Sequence, residues 1–141
     1  MTDPDVLEQT VHIAASPETV WSFWTRPERL REWWGRAETA VQPGGAFRVE
    51  MEQGPVMAGE FLELDPPHRL LFSFGWEGGA PAGLLPPGST RVEITLIPDG
   101  DGTKLTLRHH GLPPEHATDH DKGWSHFLGL LADVAGAPRG S

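Results

Sequence analysis

The middle of the chain, from about residue 36 to residue 110, is a series of short segments in which apolar and polar side chains alternate. One such segment places Phe47, Val49 and Met51 at every second position, the pattern of a strand with one buried face. Glycine and proline residues separate the segments, as at Pro43-Gly44-Gly45, and they favour tight turns. The pattern therefore predicts a meander of six antiparallel strands.

The segments on either side of the meander predict one more strand and three helices. Residues 7–13 alternate as a strand does, and Ser16 followed by Pro17 is typical of a helix start. Pro27 begins a second short helix, which we expect to end at Gly35. A long helix is predicted from about residue 115 to residue 135, with an apolar stripe that must pack on the sheet: Trp124, Phe127, Leu128, Leu131 and Val134.

Length, charge and cysteine content limit the classes of function. A chain of 141 residues suits one domain, which we place at residues 8–135 with flexible tails at 1–7 and 136–141. The absence of cysteine excludes disulfides, thiolate catalysis and cysteine-based metal sites. A formal net charge of −9 opposes binding to nucleic acid or anionic membranes. No secretory signal or membrane span is visible, so we expect a cytoplasmic protein.

These elements together predict an α+β fold in which a curved antiparallel sheet of about seven strands wraps around the C-terminal helix. Large sheets coil, so we expect the helix to span the concave face without filling it. The space left over would be an apolar cavity suited to a hydrophobic small molecule. Its predicted lining is Phe47, Val49, Met51, Phe72, Phe74, Trp76, Ile94, Leu107, His109, Trp124, Phe127 and Leu128.

Several short motifs follow one another along the chain with a distinctive order and spacing. They are ASPETVW at 15–21, the segment 27–34, GEF at 59–61, PPHRL at 66–70, FGW at 74–76 and GW at 123–124. Together they resemble the START/SRPBCC superfamily, and more narrowly its activator of heat-shock protein 90 ATPase homologue-like branch. The resemblance covers about residues 8–135 and implies a helix-grip fold with a hydrophobic ligand cavity.

The resemblance implies no single activity. Members of the superfamily carry lipids, bind hormones or act as polyketide cyclases and aromatases. The chaperone-activating role belongs to longer eukaryotic relatives with an additional N-terminal domain, for which this chain has no room. We therefore favour non-catalytic binding or transport of a hydrophobic or amphipathic small molecule. A cyclase-, aromatase- or hydrolase-like enzyme and a protein–protein module, chaperone-associated or dimerising, are the alternatives.

Two residues are candidates for chemistry in such a cavity. His109 shares a strand face with Leu105 and Leu107, so it is expected to point inward, where it would orient a ligand or bond to the backbone. Glu60 lies in a segment that is apolar on both faces, which makes it the candidate catalytic carboxylate. A position at the surface or on the cavity rim is the simpler interpretation of Glu60.

A metal site is a further alternative. His116 and His120 lie four residues apart on the last helix, a spacing at which two imidazoles can share one ion. No carboxylate stands at a convincing ligand spacing, so a polar cavity mouth is the simpler interpretation. The sequence also has no phosphate loop and no dinucleotide fingerprint, and we expect no cofactor.

The segment 77–88 is longer than most hairpin connections and carries Leu84 and Leu85. The two leucines would dock on the rim of their own domain, or else the segment would act as a lid or as the contact of a homodimer.

Six tryptophans form the other unusual feature of the sequence. We assign Trp21, Trp24 and Trp33 to the core and leave Trp34 unassigned. Trp76 and Trp124 lie on inward-facing stripes and are the candidates for ligand contact.

Overall fold

A computed structural model describes residues 6–51, 54–77 and 87–136, without the side chains of residues 114–116. Strand β1 is followed by two short helices, a six-stranded meander and a long helix. The elements are β1 (Val6–Ile13), α1 (Pro17–Thr25), α2 (Pro27–Leu30), β2 (Arg36–Thr39), β3 (Ala46–Glu50), β4 (Val56–Asp65), β5 (Arg69–Phe74), β6 (Thr90–Asp99), β7 (Gly102–His110) and α3 (Pro114–Ala135). The seven-stranded antiparallel sheet and the C-terminal helix confirm the predicted α+β architecture.

The sheet has the strand order β1-β7-β6-β5-β4-β3-β2, so the first strand joins the last and the remaining strands follow as a meander. The register brings apolar side chains side by side across neighbouring strands. Leu70 of β5 pairs with Ile94 of β6, which in turn pairs with Leu107 of β7. All three are buried. One face of the sheet is therefore a continuous apolar surface, as the alternation in the sequence predicts.

The two short helices are set by local signals in the sequence. The backbone N–H of Thr19 donates to the Ser16 hydroxyl at 3.3 Å, which caps α1, and Pro17 occupies its first turn. The prediction that the second helix extends to Gly35 is wrong, since α2 ends at Leu30. The backbone forms a tighter turn there, because the backbone N–H of Trp33 donates to the Leu30 carbonyl three residues earlier. The tryptophans after α2 therefore lie in a turn.

Helix α3 packs against β1 and α1. Trp124, Leu128 and Leu131 form its buried side. The Gln9 side-chain amide of β1 also donates to the Asp121 carbonyl at 2.7 Å and to its carboxylate at 2.8 Å, which ties the helix to the edge of the sheet. None of the helices in the described part of the chain is long and apolar enough to cross a bilayer.

Candidate functional site

An apolar cavity of about 210 Å³ lies between the sheet and the N-terminal half of α3, and it is partly open to solvent. A buried cavity of roughly 150 Å³ can hold benzene, whereas pockets for drug-sized ligands measure about 300–1,000 Å³. The space therefore suits a molecule of about one ring. Its lining residues are Trp34, Met51, Phe74, Trp76, Asp119, His120, Gly123, Trp124 and Phe127.

The cavity includes five members of the predicted lining, namely Met51, Phe74, Trp76, Trp124 and Phe127. The other predicted residues are buried in the core and do not line this space: Phe47, Val49, Phe72, Ile94, Leu107, His109 and Leu128. They lie on the correct face of their elements, but other side chains cover them. Contact of the five lining residues with a ligand stays a prediction.

Tryptophans of α1 and of the turn after α2 do much of that covering. The Trp24 ring lies 4.8 Å from Trp33 and 6.2 Å from Phe72, measured between ring centroids. Trp33 donates its indole N–H to the Phe23 carbonyl at 2.8 Å and is buried, as is Trp24, whereas Trp21 is half-buried. These rings fill the concave side of the sheet next to Phe72, and the cavity lies beyond them, near the start of α3.

Four lining residues were not among those predicted for the cavity. Trp34 forms one wall, with its ring 5.3 Å from that of Trp124. The other three, Asp119, His120 and Gly123, belong to the first half of α3. Helical spacing could have identified this side of the helix, because His120 lies four residues before Trp124 and so shares its side.

A buried chain of hydrogen bonds supports the wall formed by Trp124. Its indole N–H donates to Nδ1 of His109 at 3.0 Å. Because Nδ1 accepts, the imidazole proton is on Nε2, which donates to the Thr90 hydroxyl at 2.8 Å. Thr90 in turn donates to the Phe74 carbonyl at 2.9 Å. His109 thus fixes the position of Trp124 from behind the lining and does not face the cavity.

Electrostatics keeps His109 neutral. Burial, the largest cause, and the neighbouring His120 and His110 together lower the pKa of its imidazole from 6.5 to about 3. Protonation of Nδ1 would also place two N–H groups against each other, because Trp124 already donates there. His109 is therefore a neutral structural group at ordinary pH.

A second indole–imidazole pair lies at the cavity surface. Trp76 donates its indole N–H to Nε2 of His120 at 3.3 Å, and both side chains are buried. The His120 ring lies 5.8 Å from that of His109, and the Phe74 ring packs within 6.0 Å of both. The polar groups of the cavity are thus gathered at the end formed by Trp76 and α3.

The metal hypothesis meets a structural obstacle at His120. Its Nε2 atom accepts the Trp76 N–H, so the lone pair of this atom is engaged. Across the described residues, no group of three or more histidine, aspartate or glutamate side chains could hold an ion. The side chain of His116 lies outside the described part of the structure.

Glu60 lies at the surface. Its side chain is exposed, and its backbone N–H donates to the Ser73 hydroxyl at 2.9 Å. The register between β4 and β5 shifts between Phe61 and Glu63. Glu60 does not line the cavity. The loop leucines Leu84 and Leu85 lie outside the described residues.

The sheet order and the position of α3 define a helix-grip protein of the SRPBCC type. Residues 14–136 match the model of the family described as "Activator of Hsp90 ATPase homolog 1-like protein". The chain belongs to this family, as its motifs predict. No curated protein is similar to the chain at a significant level.

Solved structures share the same fold. An AHSA1-like protein from Rhizobium etli, RHE_CH02687, is 41% identical, and the match covers 94% of this chain and 82% of that one at a TM-score of 0.72. DynU16, a protein in the dynemicin biosynthetic locus, is 27% identical at a TM-score of 0.79 over 94% of this chain. The match spans only 47% of DynU16, about half its length.

A third structure, the Aha1 dimer from Colwellia psychrerythraea, is 20% identical. The match covers 96% of this chain and 98% of that one, with a TM-score of 0.77. At this level of identity the likeness shows the shared fold.

Proposed function

We propose that this protein binds a small apolar or amphipathic molecule, about one ring in size, in the cavity beside α3. The observation that carries the proposal is the cavity itself, about 210 Å³ in volume and lined mainly by aromatic side chains. Such concave apolar sites with a few polar groups are the usual form of small-molecule sites. The similarity to DynU16, which comes from a biosynthetic locus, adds support for a small-molecule role.

The arrangement of the polar lining residues supports binding without catalysis. Asp119 and His120 are the two titratable groups of the lining as far as the structure describes it. They are consecutive on a helix, where neighbouring side chains point about 100° apart. This geometry does not pair them as an acid and a base. The candidate carboxylate Glu60 lies at the surface, away from the lining.

The size of the cavity sets the scale of the affinity. An aromatic group buries roughly 150–250 Å² of surface, which is worth about 4–6 kcal/mol at 25 cal/mol per Å². Association costs reduce this gain. Weak ligands must therefore be tested up to millimolar concentrations.

Substitution of Gly123 by leucine should abolish binding and leave the fold intact. Gly123 lines the cavity, and a Cβ atom built on it meets no other atom within 4 Å. A leucine side chain would occupy the space that the ligand needs. The change also removes a glycine from the middle of a helix, where it costs roughly 0.5–1 kcal/mol relative to alanine. We expect Gly123→Leu to keep or raise the melting temperature.

The measurement is a titration with 4-tert-butylphenol, followed by NMR of the indole N–H resonances. The signals of Trp76 and Trp124 should shift in the wild type, while that of Trp33, bonded to the Phe23 carbonyl, should not. Gly129→Leu is the matched control, since Gly129 is exposed on the same helix and also has open space around it. Equal binding by the Gly123→Leu and Gly129→Leu variants would refute the proposed site.

A further inference from the structure

In the side chains that line the cavity, negative charge predominates over positive charge. Its aromatic lining comprises three indole and two phenyl rings, and its charged side chain is the carboxylate of Asp119. Among the residues that the structure describes, the lining contains neither lysine nor arginine. Nε2 of His120 accepts the Trp76 N–H, so this atom already has a partner. Within the described residues, the cavity therefore combines electron-rich ring faces with one negative charge.

The nearby arginine and glutamate side chains do not change this balance. Glu77 follows Trp76 directly and is held by Arg48, with Nε 2.7 Å and Nη2 3.1 Å from its two carboxylate oxygens. The Arg48 guanidinium lowers the pKa of Glu77, so this pair is ionised and neutral overall.

No described side chain forms an ion pair with Asp119. The Asp119 carboxylate is thus available to a bound ligand.

The net charge of the whole chain also favours a positively charged ligand over a negatively charged one. Its formal net charge is −9, which produces a negative potential that attracts cations and repels anions. An anionic ligand would meet Asp119 without a compensating cation in the lining. A neutral ligand would use the apolar surface alone. An organic cation would use the apolar surface, the ring faces and the carboxylate together.

We propose that the ligand of this cavity is an organic cation, a tertiary or quaternary ammonium group joined to an apolar part of about one ring. The inference rests on the proposed function and specifies its ligand class. The ammonium group lies against the ring faces at the end of the cavity where Asp119 provides the counter-charge. Ammonium groups surrounded by aromatic rings are held by the attraction between the charge and the negative ring faces.

Two probes of the same shape test this proposal. 4-tert-Butylphenol and (4-hydroxyphenyl)trimethylammonium differ in a central carbon or nitrogen atom and hence in charge. Cation–π attraction of the usual strength predicts that the cation binds about 5- to 30-fold more tightly than the neutral probe. Dissociation constants would come from calorimetry and from the shifts of the tryptophan N–H resonances.

Asp119→Asn should weaken binding of the cation several-fold more than it weakens binding of the neutral probe. Asp133→Asn is the matched control, because it makes the same change in net charge at an exposed position of α3. It lies 14 residues further along the helix, about 21 Å away. This variant should bind both probes as the wild type does.

The outcomes separate the two proposals. Cation binding no tighter than neutral binding would overturn the inferred ligand class and keep the proposed site. Equal loss of cation affinity in the Asp119→Asn and Asp133→Asn variants would show that net charge alone acts, and would overturn the role of Asp119. Failure of both probes to bind at millimolar concentration would overturn the proposed function itself.

Discussion

Replacement of Trp24 by alanine should lower the free energy of unfolding by about 3–5 kcal/mol, the usual range for removal of a large buried aromatic side chain. Trp24 is fully buried. Its ring packs within 6.3 Å of four other aromatic rings, measured between centroids: Trp33, Trp34, Phe72 and Trp124. These rings belong to different parts of the fold, so the loss would loosen the junction between the short helices, the sheet and α3. Urea unfolding followed by circular dichroism would measure it.

Two phenylalanine substitutions separate ring packing from hydrogen bonding. The Nε1 atom of Trp24 is buried with no hydrogen-bond partner in the described structure, whereas that of Trp33 donates to the Phe23 carbonyl at 2.8 Å. Trp24→Phe loses no hydrogen bond and should cost clearly less than Trp24→Ala. Trp33→Phe should cost about 1 kcal/mol more than Trp24→Phe, the net value of a typical hydrogen bond. A Trp24→Phe variant as unstable as Trp24→Ala would contradict this account.

The fold could be predicted from the sequence because its signals are local and repeated. Alternation in β5, β6 and β7 identifies the buried face, and the register places Leu70, Ile94 and Leu107 side by side on that face. The position of the first helix follows from Ser16 and Pro17 in the same way. The end of α2 was harder to predict from the sequence, because the tight turn after Leu30 has no distinct sequence signal.

The cavity lining could be predicted only in part, for a different reason. Periodicity shows which side of a strand is buried, but not which other side chain covers each position. Phe72 and Phe74 occupy equivalent positions on β5, yet Phe72 packs beneath Trp24 and Trp34 while Phe74 reaches the cavity. The difference depends on how helix α1 and the turn after α2, both far away in sequence, place the indole rings of Trp24 and Trp34. No local pattern contains that information.

The hydrogen-bond partners of His109 likewise could not be predicted from a local sequence pattern. Its inward direction follows from its position on the apolar face of β7, and it is fully buried. Its partners, Thr90 and Trp124, come from β6 and α3, and they make it a structural group behind the lining. A histidine predicted to orient a ligand or to bond to the backbone thus orients a tryptophan that lines the cavity.

This arrangement predicts a strong dependence of stability on pH. The pKa of His109 is lowered to about 3 in the native protein from 6.5. Between these values the unfolded chain binds a proton that the native protein does not, so the free energy of unfolding falls as the pH falls. The His109 contribution is complete above pH 6.5 and is lost progressively toward pH 3. Its slope approaches about 1.4 kcal/mol per pH unit, for a total of about 4–5 kcal/mol.

Carboxylates titrate in the same interval, so the histidine contribution must be isolated by comparison. His109→Gln retains a donor and an acceptor but cannot take up a proton, and the slope between pH 6 and 4 should be smaller in this variant. His126→Gln, at an exposed position on α3, serves as the control and should keep the wild-type slope. Equal slopes in the wild type and in His109→Gln would contradict the prediction.

The wild-type protein offers an independent test that needs no variant. Nitrogen chemical shifts of the imidazole distinguish its neutral tautomers from the cation. Because Trp124 donates to Nδ1 at 3.0 Å, we expect the proton of His109 on Nε2 at pH 5. A doubly protonated ring at that pH would break the hydrogen bond from Trp124 and would show that burial does not keep this histidine neutral. A neutral ring with its proton on Nε2 at pH 5 would agree with a native pKa well below 6.5, so that the unfolded chain takes up the proton first as the pH falls.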